Sequence, residues 1–264
     1  MSHAIVPVSI GLSIQFLLMT GVFIVYRITR RASWIDVAWA GSVLLLTAWY
    51  TVYCGAKNLV HGAIVAMYSI WALRLSIFLA LRLARHGEDA RYLSIKERWG
   101  ENLSFKFFLF FQVQGVISLL LSLPVLLVLL QPVQSFSGFE MTGFTLWLLA
   151  FMGETIADFQ LFRFKLSKHN KGKVFNRGLW KYSRHPNYFF ELLIWIGVFL
   201  FCLGQDWGPY SVLLPVMMAY FILKVTGIPE TESQNIKSKG QAYYRYQKTT
   251  SAFIPWFPKK EHIT

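Results

Sequence analysis

The stretch YSRHPNYFFELLIW, residues 182–195, opens a long apolar run yet carries Arg184, His185, Pro186, Asn187 and Glu191 at its head. Inside a bilayer a helix satisfies its own backbone. Pro186 suits the first helical position, where its missing N–H costs nothing. From that start Asn187, Glu191 and Trp195 recur at every fourth residue and share one stripe. The helix therefore begins at a membrane surface, with unpaired backbone donors and a positive dipole end beside Arg184 and His185. Such an end attracts a phosphate. A carboxamide with a carboxylate one turn deeper suits the amide and ribose of a nucleotide, and the bland alternative is that Asn187 and Glu191 bind neighbouring helices.

Outward from this stretch the whole chain reads as membrane-embedded. Of its 264 residues 55% are hydrophobic and 15% charged, against roughly 25% charged in soluble domains, and the mean hydropathy is positive. Apolar runs of about the ~20 residues a span needs fall at 4–26, 34–54, 60–81, 107–130, 142–161, 187–204 and 208–227. The pattern predicts an all-α integral membrane protein: a seven-transmembrane-helix bundle forming one domain over 1–264, with a cytoplasmic C-terminal helical tail. The first run is too long for the core of a signal peptide and lacks a basic segment before it, so it reads as a helix.

Lys and Arg give the orientation. The loops after runs 1, 3 and 5 and the tail from Lys224 hold 24 of the 26 basic residues, and such residues collect on the cytoplasmic side. The N-terminus is expected outside and the C-terminus in the cytoplasm, in the inner membrane if the cell is bacterial. The net charge of +13 then lies on one face, where it meets anionic headgroups or an anionic cofactor. No helix-turn-helix, zinc-finger or RNA-binding signature accompanies it, which speaks against nucleic acid. Cys54 and Cys202 form neither a disulfide framework nor a ligand pair, and His185 has no second His at ligand spacing, so no metal site is expected. The dinucleotide, P-loop and serine-hydrolase motifs of soluble enzymes are missing.

Acids inside spans are costly unless paired or hydrated, which singles out Asp36, Glu154, Asp158 and Glu191. Glu154 and Asp158 share a helical face four residues apart; they serve either a site or a cation–carboxylate cluster with Arg163 and Lys165. In the tail, a helix is expected from about Glu230 to Gln247. Its Glu230, Glu232, Tyr243, Tyr244 and Tyr246 either receive an adenosine or form a solvated amphipathic face.

RGLWKYSRHPNYFFELLIW (177–195) together with KVTGIPETES (224–233) and KGQAYYRYQKTTSAFIPWFP (239–258) resembles the C-terminal domain of the steroid 5-alpha-reductase superfamily. More closely, it resembles an uncharacterised bacterial branch classed as a domain of unknown function. WIDVAWA (34–40), EDARYLSIKERWG (88–100) and ETIADFQLFRFK (154–165) extend the resemblance over about 34–260. It implies a seven-helix membrane reductase that binds NADPH from the cytoplasm and passes hydride to an activated C=C bond of a lipidic substrate. By the same resemblance Asn187 and Glu191 face the nicotinamide and ribose, with Tyr182 and Arg184 near the phosphates; His185, beside the helix end, and Trp195, third in the stripe, join the cofactor candidates from the spacing of the stretch itself. Asp158 and Lys165 line the cofactor, Glu232 and Tyr246 close over the adenosine, and Lys171, Lys173 and Arg177 meet the 2′-phosphate.

The catalytic half of the family pattern departs here. Steroid reductases hold the substrate carbonyl with a Gln-Glu pair on the second helix and a Tyr on the third. This chain has Asp36 as the only acid of WIDVAW, and Tyr68, Trp71 and Arg74 in YSIWALR (68–74). Asp36, Tyr68 and Glu191 are the catalytic candidates, with a protonated Asp36 or a phenol stabilising the developing enolate. Two other classes remain open: an S-adenosylmethionine-dependent membrane methyltransferase like the isoprenylcysteine carboxyl methyltransferases, which share the R-H-P-x-Y start, and a non-enzymatic lipid-binding bundle.

Overall fold

The computed structural model describes residues 2–132 and 135–259; Lys260, the last residue of the tail as read from sequence, lies outside them. Among the described residues every regular element is helical, and the only β pairing is one isolated bridge between Ser183 and Ser251. The chain divides into two compact units, residues 1–136 and 137–264.

The first unit is built on four long helices, α1 (Ser2–Thr29), α2 (Trp34–Cys54), α3 (Leu59–His86) and α5 (Leu103–Leu129), with the short α4 (Ala90–Trp99) between the last two. Its core joins Met19 and Tyr26 of α1 to Ile35, Tyr92, Phe107 and Phe111, with the Tyr26 and Phe107 ring centroids 4.8 Å apart. Gly115 lets α1 approach α5, because a Cβ there would lie 2.9 Å from Met19 Cγ. Pro124 cannot donate within α5, and nearby the buried Tyr68 hydroxyl of α3 donates to Leu121 O at 2.9 Å. Asp89 caps α4 by accepting from the Arg91 N–H at 2.9 Å.

The second unit pairs α6 (Gly138–Leu166) with α7 (Pro186–Cys202). Ser137 and Glu140 form a capping box at the start of α6. The two helices touch backbone to backbone: a Cβ on Gly143 would strike Phe201 N and Gly197 O, and one on Gly197 would lie 2.8 Å from Trp147 N. A Cβ on Gly153 would strike the Phe190 ring. These approaches set an antiparallel register in which each step up α6 retraces one step down α7. Small residues at such crossings are the usual packing device between helices in lipid.

After α7 come a 3₁₀ turn at Gly208–Val212, α8 (Leu213–Tyr220), a π-turn at Phe221–Val225, α9 (Ile228–Lys239) and α10 (Gln241–Thr249). The tail is thus two helices where the sequence predicts one. Gly240 separates them at φ 56°, a left-handed conformation that other residues adopt at a cost. Five helical stretches are long and apolar enough to cross a membrane: Ala4–Thr29, Trp34–Cys54, Leu59–Arg85, Leu103–Leu129 and Gly208–Lys239. Pro186–Cys202 is apolar but shorter.

Candidate functional site

The start of α7 is built as the sequence predicts, with Pro186 at the head of the helix and His185 before it. Ser183 fixes the approach: its hydroxyl donates to Phe253 O at 2.7 Å and accepts from the His185 N–H at 3.1 Å. The chain end runs back alongside, with the Arg184 N–H donating to Ser251 O at 2.8 Å and the Trp256 N–H to Tyr182 O at 2.9 Å.

Glu232 of α9 sits at the centre of a polar knot. It accepts from Arg184 at both oxygens (2.9 and 3.2 Å), pairs with His185 Nε2 at 2.8 Å, and accepts from the Tyr243 hydroxyl at 2.9 Å and from the Gln247 side-chain amide. Arg184 Nη1 donates onward to Gln247 O at 3.0 Å and Thr250 O at 2.6 Å. A fork held by one carboxylate and two carbonyls has little left to offer a ligand. Burial and the Glu232 charge raise the Tyr243 phenol well above its ordinary range, so it serves as a donor at any physiological pH. The break at Gly240 makes this knot: in one straight helix Gln247 would sit about 22 Å beyond Glu232, at 1.5 Å per residue.

Tyr246 is likewise engaged, its buried hydroxyl donating to Trp180 O and to Ser183 O at 3.3 Å. Trp180 Nε1 donates to Ala157 O at 2.9 Å, and Gln160 Oε1 accepts from the Leu179 N–H at 3.0 Å. The segment before α7 is therefore laid along the end of α6, next to Asp158. Tyr182, Lys165, Lys171, Lys173 and Arg177 are exposed, and Lys173 Nζ lies 2.7 Å from His169 Nε2.

The polar stripe of α7 survives in part as a bonded unit: Glu191, 8% exposed, accepts from Trp195 Nε1 at 2.8 Å. Asn187 differs. Its Oδ1 is buried and has no hydrogen-bond partner among the described residues. Glu154 and Asp158 are buried on the face of α6, and the α6–α7 register brings them to the depth of Glu191 and Asn187. By that register Glu154 lies level with Glu191 and Asp158 level with Asn187, one helical turn apart along the pair. No cluster fit to hold a metal ion occurs among the described residues.

In the first unit Asp36 accepts at one oxygen from Arg91 Nη2 (2.8 Å) and at the other from the Tyr92 hydroxyl (2.6 Å). Asp89 also receives Arg91 and pairs with Arg82, and Glu88 accepts from the Ala32 N–H at 3.0 Å. These contacts fasten α4 to the start of α2. Arg91, Tyr92 and Gln247 are the partners that spacing did not single out, and Tyr243, singled out for an adenosine, is engaged by Glu232 instead. Arg91 and Tyr92 do lie in the quoted EDARYLSIKERWG, and a glycine ahead of a Tyr-rich segment was the available sign of a folded-back tail.

Residues 22–250 match the family model described as "Protein of unknown function (DUF1295)". The chain belongs to this family. It is also similar to "Uncharacterized protein C594.04c" of Schizosaccharomyces pombe, at 25% identity over 222 residues, covering 74% of this chain and 64% of that protein. The match thus spans a little under two thirds of the relative's length. No solved structure matches the chain significantly.

Proposed function

We propose that the chain is an NADPH-dependent membrane reductase acting on an activated C=C bond of a steroid-like or other lipidic enone, as the resemblance to the steroid 5-alpha-reductase superfamily implies. The observation that carries the cofactor reading is the Asn187 carboxamide. Its Oδ1 is buried without a partner among the described residues in the first turn of α7, where backbone N–H groups also lack helical partners. A buried, unmatched acceptor costs about 1–3 kcal/mol, and the amide N–H of a nicotinamide would satisfy it.

When bound, NADPH supplies the hydride; the chain holds and orients it. Asn187 would fix the amide end, and Glu191, already oriented by Trp195, offers an acceptor one turn deeper. Lys165, Lys171, Lys173 and Arg177 present exposed positive charge for phosphate. Arg184 contributes indirectly, because its bonds to Glu232, Gln247 and Thr250 hold the loop that delivers Asn187. Tyr246 acts likewise through Trp180 and Ser183. Asp36 and Tyr68, assigned to the substrate carbonyl, are both committed to internal bonds as arranged. The substrate class is therefore inferred from the resemblance alone.

The reading includes seven spans, α6 and α7 joining the five, with the N-terminus outside, the tail cytoplasmic and the whole chain working as one domain. The glycine crossing of α6 and α7, a packing usual between helices in lipid, supports placing those two in the membrane; the orientation rests on the basic residues.

Thermal unfolding of the detergent-purified protein with each cofactor tests the proposal. NADPH at a hundred times its Kd should stabilise the fold by about 2.7 kcal/mol, and Asn187→Leu should lose that gain while leaving the unliganded midpoint equal or higher. Stabilisation by S-adenosylmethionine without any by NADPH would replace the reductase by a methyltransferase. No response to either nucleotide would favour a lipid-binding bundle.

A further inference from the structure

A second unmatched carboxamide lies in the first unit, far along the sequence from the α7 start. Gln15 of α1 is 1% exposed, and its Oε1 has no hydrogen-bond partner among the described residues. The orientation of this amide is fixed by Ser42: Nε2 donates to Ser42 O at 3.4 Å, and turned over, Oε1 would face that carbonyl oxygen. Beside it is Gly115, where a Cβ would lie 3.7 Å from Oε1 and 2.9 Å from Met19 Cγ; α5 therefore offers no side-chain donor to the acceptor at that position.

Gln15 also lines a groove of about 570 Å³ with Leu12, Ser13, Phe16 and Leu17 of α1 and Gln112 and Val116 of α5. That volume lies within the range of small-molecule clefts. Leu12, Phe16 and Val116 are about half exposed and Leu17 more so, so the groove opens outward. It sits near the middle of Ala4–Thr29 and Leu103–Leu129, two of the stretches able to cross a membrane. A soluble protein would meet a buried acceptor with water. At mid-bilayer depth the mobile donors are those of lipids.

We propose that this groove binds a neutral lipid carrying a free hydroxyl, with the hydroxyl donating to Gln15 Oε1 and the hydrocarbon lying along Leu12, Phe16 and Val116. Charge selects the class: drawing a phosphate to this depth costs several kcal/mol, whereas a hydroxyl is cheaper to bury once bonded. With Gln15 1% exposed, the hydroxyl reaches Oε1 through a change of rotamer among the side chains that line the groove. This site is independent of the nucleotide reading and stands or falls separately.

Photo-crosslinking of the full-length protein in phospholipid nanodiscs tests it, with a diazirine-bearing hexadecanol as probe and hexadecanol or its methyl ether as competitor. Labelling should map to residues 12–17 and 112–116, and the alcohol should compete about tenfold better than the ether, the value of one hydrogen bond. Gln15→Leu should bring that ratio to about one. Val116→Trp, a change at an exposed position, should remove labelling by filling the groove. Equal competition by alcohol and ether in the unaltered protein overturns the proposal, as does an unchanged ratio in a folded Gln15→Leu or labelling that never saturates.

Discussion

Removing the Glu232 carboxylate would strand Arg184 and His185, whose side chains are 11% and 2% exposed. An uncompensated buried charge is far costlier than the net value of the pair that it leaves. Glu232→Ala should therefore lower the unfolding free energy by about 3–5 kcal/mol, and Glu232→Gln by less because it keeps one acceptor. The thermal midpoint in detergent reads this directly; a Glu232→Ala protein that melts with the unaltered one would show that the knot carries no stability. The sequence made Arg184, Asn187 and Glu191 visible because they break an apolar run at helical spacing. It could not join Arg184 to Glu232, 48 residues away, since a pairing across elements leaves no periodicity. Nor could it separate Asn187, with its unmatched oxygen, from Glu191, bonded to Trp195; side by side in the stripe, the two are equivalent as letters.

At the scale of elements, composition gave the long apolar helices and missed their joints. The tail reads as one helix because its pattern continues on both sides of Gly240, and only the positive φ of that glycine turns a single residue into a fold-back. The α6–α7 crossing is similar: Gly143, Gly153 and Gly197 are unremarked in a chain with 18 glycines until the backbones are seen to touch. Two identical substitutions separate contact from propensity. Gly197→Ala places a methyl 2.8 Å from Trp147 N and should cost about 1–3 kcal/mol as overpacking. Gly21→Ala in α1 meets nothing within 4 Å and should stabilise by up to about 1 kcal/mol through helix propensity. Melting curves of the two variants should move in opposite directions; a shared direction would mean that backbone propensity, not the close crossing, dominates at residue 197.

Across the whole molecule the family match runs from Val22 in α1 to Thr250 past α10, so it covers most of both units. What the chain does with α6 and α7 decides its topology. If they span, Glu154, Asp158 and Glu191 enter the membrane, where ionisable groups are retained for function rather than for stability. If they do not, the eight basic residues of 163–184 lie on the same side as the turns before α6 and after α7. Odd counts of five and seven both put the termini on opposite faces, so the ends alone do not discriminate. Single cysteines in a protein freed of Cys54 and Cys202 do. Under the proposed topology Lys57→Cys and Asp206→Cys, both at exposed positions, react with a membrane-impermeant maleimide on intact cells, and Lys168→Cys reacts only after lysis. Labelling of Lys168→Cys from outside, together with Asp206→Cys, would remove α6 and α7 from the membrane and with them the reason for a nucleotide site at its cytoplasmic surface.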